Sequence, residues 1–76
     1  MVAEEFTRRM RLAQYMGHYG AGYRHGLRRF FLGDTDDLVR HRAFMALAGS
    51  MDLQHAAAGR GYRDGCAGRP PAPGGA

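Results

Sequence analysis

The sequence contains no tryptophan, no lysine and only one cysteine. Each scarcity excludes something. A lone Cys66 cannot form an intrachain disulfide. A four-ligand zinc site would have to draw mainly on histidines and carboxylates, and there is no C-x-x-C or H-x-x-x-H pair. Single-cysteine usage fits a reducing compartment, so the cytoplasm is the expected location. No stretch reaches the roughly 18 apolar residues that a spanning helix needs. Met1 to Phe6 carry Glu4 and Glu5 where a signal peptide requires an unbroken apolar run, so none is expected.

Catalytic groups are also scarce. No base or orienting partner can be assigned to Cys66. Asp34, Asp36 and Asp37 cluster at a helix start, where capping and the helix dipole account for them. His18 and His25 share a helix face but lie two turns apart, too far to grip one metal ion; His41 and His55 stand alone. With 76 residues the chain buries only about 60% of its unfolded surface, which leaves room for one small core and no deep pocket. The expectation is a non-enzyme with no metal and no cofactor.

What is abundant is arginine. All eleven basic side chains counted in the +4 formal charge are arginines. Codon usage alone can produce that bias, but guanidinium groups also fork onto phosphates and stack on flat rings. The charge is uneven: residues 1–5 carry −2, residues 6–33 carry +6 with no acid, residues 34–55 carry −2, and residues 56–76 carry +2. Such a balance favours acidic partners such as nucleic acid.

Periodicity predicts one amphipathic helix over residues 3–32. Phe6, Met10, Leu12, Ala13, Met16, Tyr19, Gly20, Tyr23, Leu27, Phe30 and Phe31 share about half the circumference, and Arg11, His18, His25 and Arg29 lie opposite. Gly17, Gly20, Gly22 and Gly26 cost nearly 1 kcal/mol each in an isolated helix, so either a kink falls between Gly17 and Gly22 or close packing compensates. Gly33 and Asp34 end the segment, with Asp34 or Thr35 as the next cap. A second helix is expected over residues 36–48. Only Arg40, His41 and Arg42 interrupt its apolar surface, which points to a central position or a homodimer interface. A third helix over 51–66 follows, capped by Ser50. Gly68 to Ala76 holds all three prolines and is expected to be a flexible tail. The expected architecture is therefore all-α, a three-helix unit over residues 1–67 with a disordered tail over 68–76.

An internal echo stands out. Gly20-Ala21-Gly22-Tyr23-Arg24-His25-Gly26 returns 39 positions later as Gly59-Arg60-Gly61-Tyr62-Arg63-Asp64-Gly65, the shared pattern being G-x-G-Y-R-x-G. Gly22 and Gly26, like Gly61 and Gly65, clear one helix face for the close approach of a backbone or a phosphate strand. The two glycine faces can equally pack on each other. The adjoining tyrosine either packs against a helix or stacks on an exposed base.

The second copy, with its flanks, resembles the first-helix signature of the ribosome modulation factor family. Ala57, Gly61-Tyr62, Gly65 and Gly68-Arg69 match it, and the match runs from Ala57 to Arg69. In the first copy Gly22-Tyr23, Gly26 and Arg29 align, with His18 in place of the alanine. The cysteine-proline stretch and tryptophan-bearing second helix of that family do not follow here. The resemblance implies a small basic protein that binds the ribosome, with Arg60, Tyr62, Arg63 and Arg69 facing ribosomal RNA or protein.

The combined reading is a non-catalytic binder of RNA or the ribosome. Arg8, Arg11, Arg24, Arg28 and Arg29 are expected to form its electropositive surface, with Tyr23 or Tyr62 stacking and Gly22, Gly26, Gly61 and Gly65 permitting close approach. The alternative is an adaptor or inhibitor that recognises a larger protein complex without touching nucleic acid. A homodimer is compatible with either, and a membrane surface is the less favoured partner.

Overall fold

The computed structural model describes residues 1–33 and 37–74. It is all-helical among the described residues, with four helices: α1 (Ala3–Ala13), α2 (Gly17–Leu32), α3 (Leu38–Leu47) and α4 (Leu53–Cys66). None is long and apolar enough to cross a membrane.

The single opening helix expected over 3–32 is two helices. The chain leaves α1 through Gln14 and Met16, then enters α2 with Gly17 at φ +58°. That left-handed conformation is inexpensive only for glycine, so the break sits just ahead of the span expected for a kink. It lets α1 fold back on α2, where Phe6 stacks on Phe31 with ring centroids 4.4 Å apart. Periodicity alone did not reveal the break because the apolar stripe continues through it.

Gly33, also left-handed, ends α2 and donates its N–H to the Arg29 carbonyl. The cap of α3 is Asp37, which accepts from the Arg40 N–H at 2.9 Å. Asp34, Thr35 and Asp36 lie outside the described residues. Asp52, not Ser50, caps α4, accepting from the N–H groups of Gln54 and His55.

The core lies between α2 and α4. A Cβ added at Gly22 would collide with the Ala58 carbonyl, and one at Gly26 with the Tyr62 carbonyl. Reciprocally, a Cβ at Gly61 would strike the Tyr19 carbonyl and one at Gly65 the Tyr23 carbonyl. Partners rise together along both helices, so α2 and α4 run parallel with their glycine faces in contact. The 39-residue echo is thus a pseudo-two-fold relation between α2 and α4. Gly20 meets the Ala13 carbonyl at the end of α1, and Gly59 meets the backbone of Leu47 and Ala48 at the end of α3, so a glycine also admits each outer helix closely.

Around this crossing Tyr19, Tyr23, Leu27, Ala13, Ala56 and Tyr62 are buried. The expectation that α3 would be central is corrected: none of its residues is buried, and Val39 is 81% exposed. Backbone contact through glycine lets the tyrosines of α2 and α4 fill the centre, which leaves α3 as an outer layer on α4.

Residues 68–74 also differ from the flexible tail expected of them. Arg9 Nη1 donates to the Gly68 carbonyl at 2.9 Å, the Tyr23 hydroxyl donates to the Arg69 carbonyl at 2.6 Å, and the Ala72 N–H donates to the Tyr19 hydroxyl at 2.9 Å. Pro70 and Pro71 stiffen the strap between these anchors.

Candidate functional site

Close packing of α2 on α4, and of α3 on α4, leaves a cleft between α2 and α3. Its volume is about 260 Å³, and His25, Arg28, Arg29 and Leu32 of α2 face Asp37, Arg40, His41 and Phe44 across it, with Tyr62 of α4 below. On α2, His25, Arg28, Arg29 and Leu32 recur at helical spacing, which brings them to one face. On α3, Arg40, His41 and Phe44 do the same.

Aromatic rings form the floor. Phe44 stacks on Tyr62 at 4.6 Å between centroids, and His25 tilts against Phe44 at 5.2 Å. His41 Nδ1 lies 2.7 Å from the Tyr62 hydroxyl. Burial pushes the Tyr62 phenol up to about 12, an effect reinforced by Cys66 and partly offset by Arg29. Tyr62 therefore stays neutral at physiological pH. Which of the two groups donates depends on the His41 tautomer.

The electrostatics are positive. Among the described lining residues Arg28, Arg29 and Arg40 stand against one carboxylate, Asp37, whose Oδ1 is engaged by the Arg40 N–H. Partial desolvation by its neighbours, although His25 stays exposed, lowers its imidazole from the usual 6.5, and the charges of Arg28, Arg40 and Arg24 lower it further. An anion entering the cleft would relieve that crowding of like charge. Burial also raises the Cys66 thiol, so it has none of the thiolate character of a reactive cysteine. Among the described residues no group of His, Cys, Asp and Glu has the arrangement of a metal site.

The arginine surface expected from sequence is divided. Arg28 and Arg29 line the cleft, and Arg24 acts on it through its charge. Arg8 is instead ion-paired to Glu5 at 2.6 Å, and it borders a separate open depression on α1 with Arg11, Ala3, Glu4 and Thr7. Arg60 is exposed on α4. Arg63 donates to the Met45 carbonyl at 2.9 Å, and Arg69 pairs with Asp64 at 2.9 Å. Tyr23 and Tyr62 are 0% and 3% exposed, so stacking on a base is corrected for both: they are core residues. Gly22, Gly26, Gly61 and Gly65 bring α2 against α4, leaving no room at the crossing for an outside strand.

Arg40, His41 and Phe44 were not among the site residues expected from the sequence, and His25 was expected only as part of the basic face of the opening helix, beside Arg29. Arg40 and His41 were visible as interruptions of an apolar helix, which is the signal α3 offered. No family model matches the chain, and comparison with curated proteins and with solved structures finds no match either.

Proposed function

We propose that this protein is a non-catalytic binder of RNA that holds backbone phosphate in the α2–α3 cleft. The convergence of Arg28, Arg29 and Arg40 from two helices on one concavity carries this reading. Guanidinium groups forked from different directions suit phosphate oxygens better than a row along one helix does. The cleft, about 260 Å³ in volume, encloses a phosphate with its immediate neighbours and not a helix, and single-stranded or looped RNA, whose backbone can bend into it, is the fitting form. The ribosome, implied by the glycine–tyrosine resemblance, is one ribonucleoprotein in which such RNA is presented, and the cytoplasm is the matching compartment. Arg60 and Arg63 are further exposed cations, on α4, available to an extended strand.

A second reading has its own observation. Leu32, Leu38 and Val39 are 66%, 54% and 81% exposed beside the cleft, an apolar margin that suits a protein partner or a second copy of this chain. Salt separates the two. Binding of labelled single-stranded RNA that weakens steeply as salt rises supports the first reading. A flat salt response, or no RNA binding at all, overturns it.

A further inference from the structure

We propose that the cleft is selective for a terminal phosphomonoester of the RNA strand over its internal phosphodiesters. The inference rests on the phosphate-binding reading above and narrows it to one kind of phosphate.

Size is the first argument. A cleft of about 260 Å³ is below the roughly 300–1,000 Å³ of sites that enclose drug-sized ligands. It admits a phosphate with the sugar attached to it. An internal phosphate brings chain on both sides, whereas a terminal phosphate enters with chain on one side only.

Charge is the second. Among the described lining residues three guanidinium groups stand against one carboxylate, a surplus of two positive charges before either imidazole is protonated. An internal phosphodiester carries one negative charge. A phosphomonoester carries between about −1.5 and −2 at neutral pH and presents three strong acceptor oxygens. The surplus therefore matches the terminal group, and Arg28, Arg29 and Arg40 supply more forked donors than the two free oxygens of a diester can use.

Lining chemistry is the third. Leu32 and Phe44 give the cleft an apolar side next to its cationic one. A sugar or terminal base attached to the phosphate would rest there, and the His25 and His41 rings line the same cleft. A bare inorganic phosphate would use only the cationic half and is expected to bind more weakly.

The test compares one oligoribonucleotide sequence in three forms, with a 5′-phosphate, with a 3′-phosphate, and with hydroxyls at both ends, by fluorescence anisotropy. One phosphorylated form is expected to bind about tenfold more tightly than the hydroxyl form, the difference made by one well-placed charge-assisted contact. Arg40→Gln, on the exposed first turn of α3, is expected to erase that preference with helicity unchanged. Arg28→Gln provides the same check from α2. Inorganic phosphate is expected to compete preferentially against the phosphorylated form. Equal affinity for all three forms overturns this inference and leaves RNA binding standing. Binding of none of them overturns both. A preference that survives both arginine substitutions in folded protein places the site elsewhere and overturns the assignment to this cleft.

Discussion

Gly22 and Gly61 are counterparts across the α2–α4 crossing: a Cβ on the first would drive into the Ala58 carbonyl, and one on the second into the Tyr19 carbonyl, 39 residues earlier. Each helix thus offers its glycine to the backbone of the other. This closeness sets the position of everything outside the crossing, including the wall of the cleft that α2 provides.

Gly61→Ala and Gly22→Ala are therefore expected to destabilise the fold by about 1–3 kcal/mol or more, because the clash is with backbone that cannot rotate away. Gly17→Ala has nothing within 4 Å of its added methyl, yet its φ of +58° makes it costly by about 1 kcal/mol through strain alone. Gly49→Ala, whose nearest neighbour is the Ala46 carbonyl oxygen at 3.7 Å, is expected to be close to neutral. Urea midpoints of the four variants check the ranking. A Gly61→Ala protein as stable as wild type would mean that the helices are farther apart than described.

Tyr19 ties the tail to the core. Its hydroxyl donates to Asp64 Oδ2 at 2.5 Å and accepts from the Ala72 N–H. Burial, and beyond it the Asp64 charge, push the phenol up to about 12 from its usual 10.0. A raised folded-state value means that the stability from neutral Tyr19 is complete below pH 10 and is lost as pH rises towards about 12. Alkaline unfolding followed by circular dichroism is expected to show this loss. Tyr19→Phe is expected to remove its share of the transition and to cost about 1–3 kcal/mol at neutral pH by leaving Asp64 and the Ala72 amide short of a partner. An unchanged alkaline profile in the variant would contradict this role.

His25 gives the opposite pH response. Its folded-state value lies below 6.5, chiefly through partial desolvation by its neighbours and then through Arg28, Arg40 and Arg24. The unfolded chain therefore takes up the proton first. Stability from neutral His25 is complete above about pH 6.5 and declines as pH falls through the lowered value. His25→Gln is expected to flatten stability between neutral pH and the carboxylate range. Urea midpoints across that interval measure it, and a wild-type curve already flat there would contradict the positive potential assigned to the cleft.

The helical class was legible in the spacing of Phe6, Met10, Tyr19, Tyr23 and Leu27, and the end of α2 in Gly33. The paired glycines were legible as faces able to approach closely, though whether they met each other or a ligand depended on where α4 lies. A kink between Gly17 and Gly22 was legible in the glycine cost as one of two options; its position, just ahead of that span, was not, because the apolar stripe continues through the break. The composition of α3 misled, since Val39 and Ala43 look like core residues until the glycine crossing claims the centre for tyrosine. The strap at Arg69 to Ala72 has no local signal either: its anchors are hydroxyls of Tyr19 and Tyr23, more than forty residues away. The cleft was the least visible feature. Arg28 and Arg40 are polar residues on separate helices, and only the tertiary fold brings them to one concavity.

The most direct measurement is a salt titration of single-stranded RNA binding by three proteins: wild type, Arg28→Gln with Arg40→Gln in the cleft, and Arg8→Gln with Arg11→Gln on α1. For single strands each phosphate contact contributes about −0.7 to the slope of log affinity against log salt. The cleft pair is expected to weaken binding by about tenfold or more and to flatten the slope by about 0.7, the share of the one phosphate the cleft holds, while the α1 pair stays near wild type. Equal losses from the two pairs, or none from the cleft pair, would show that the cleft does not hold the phosphate.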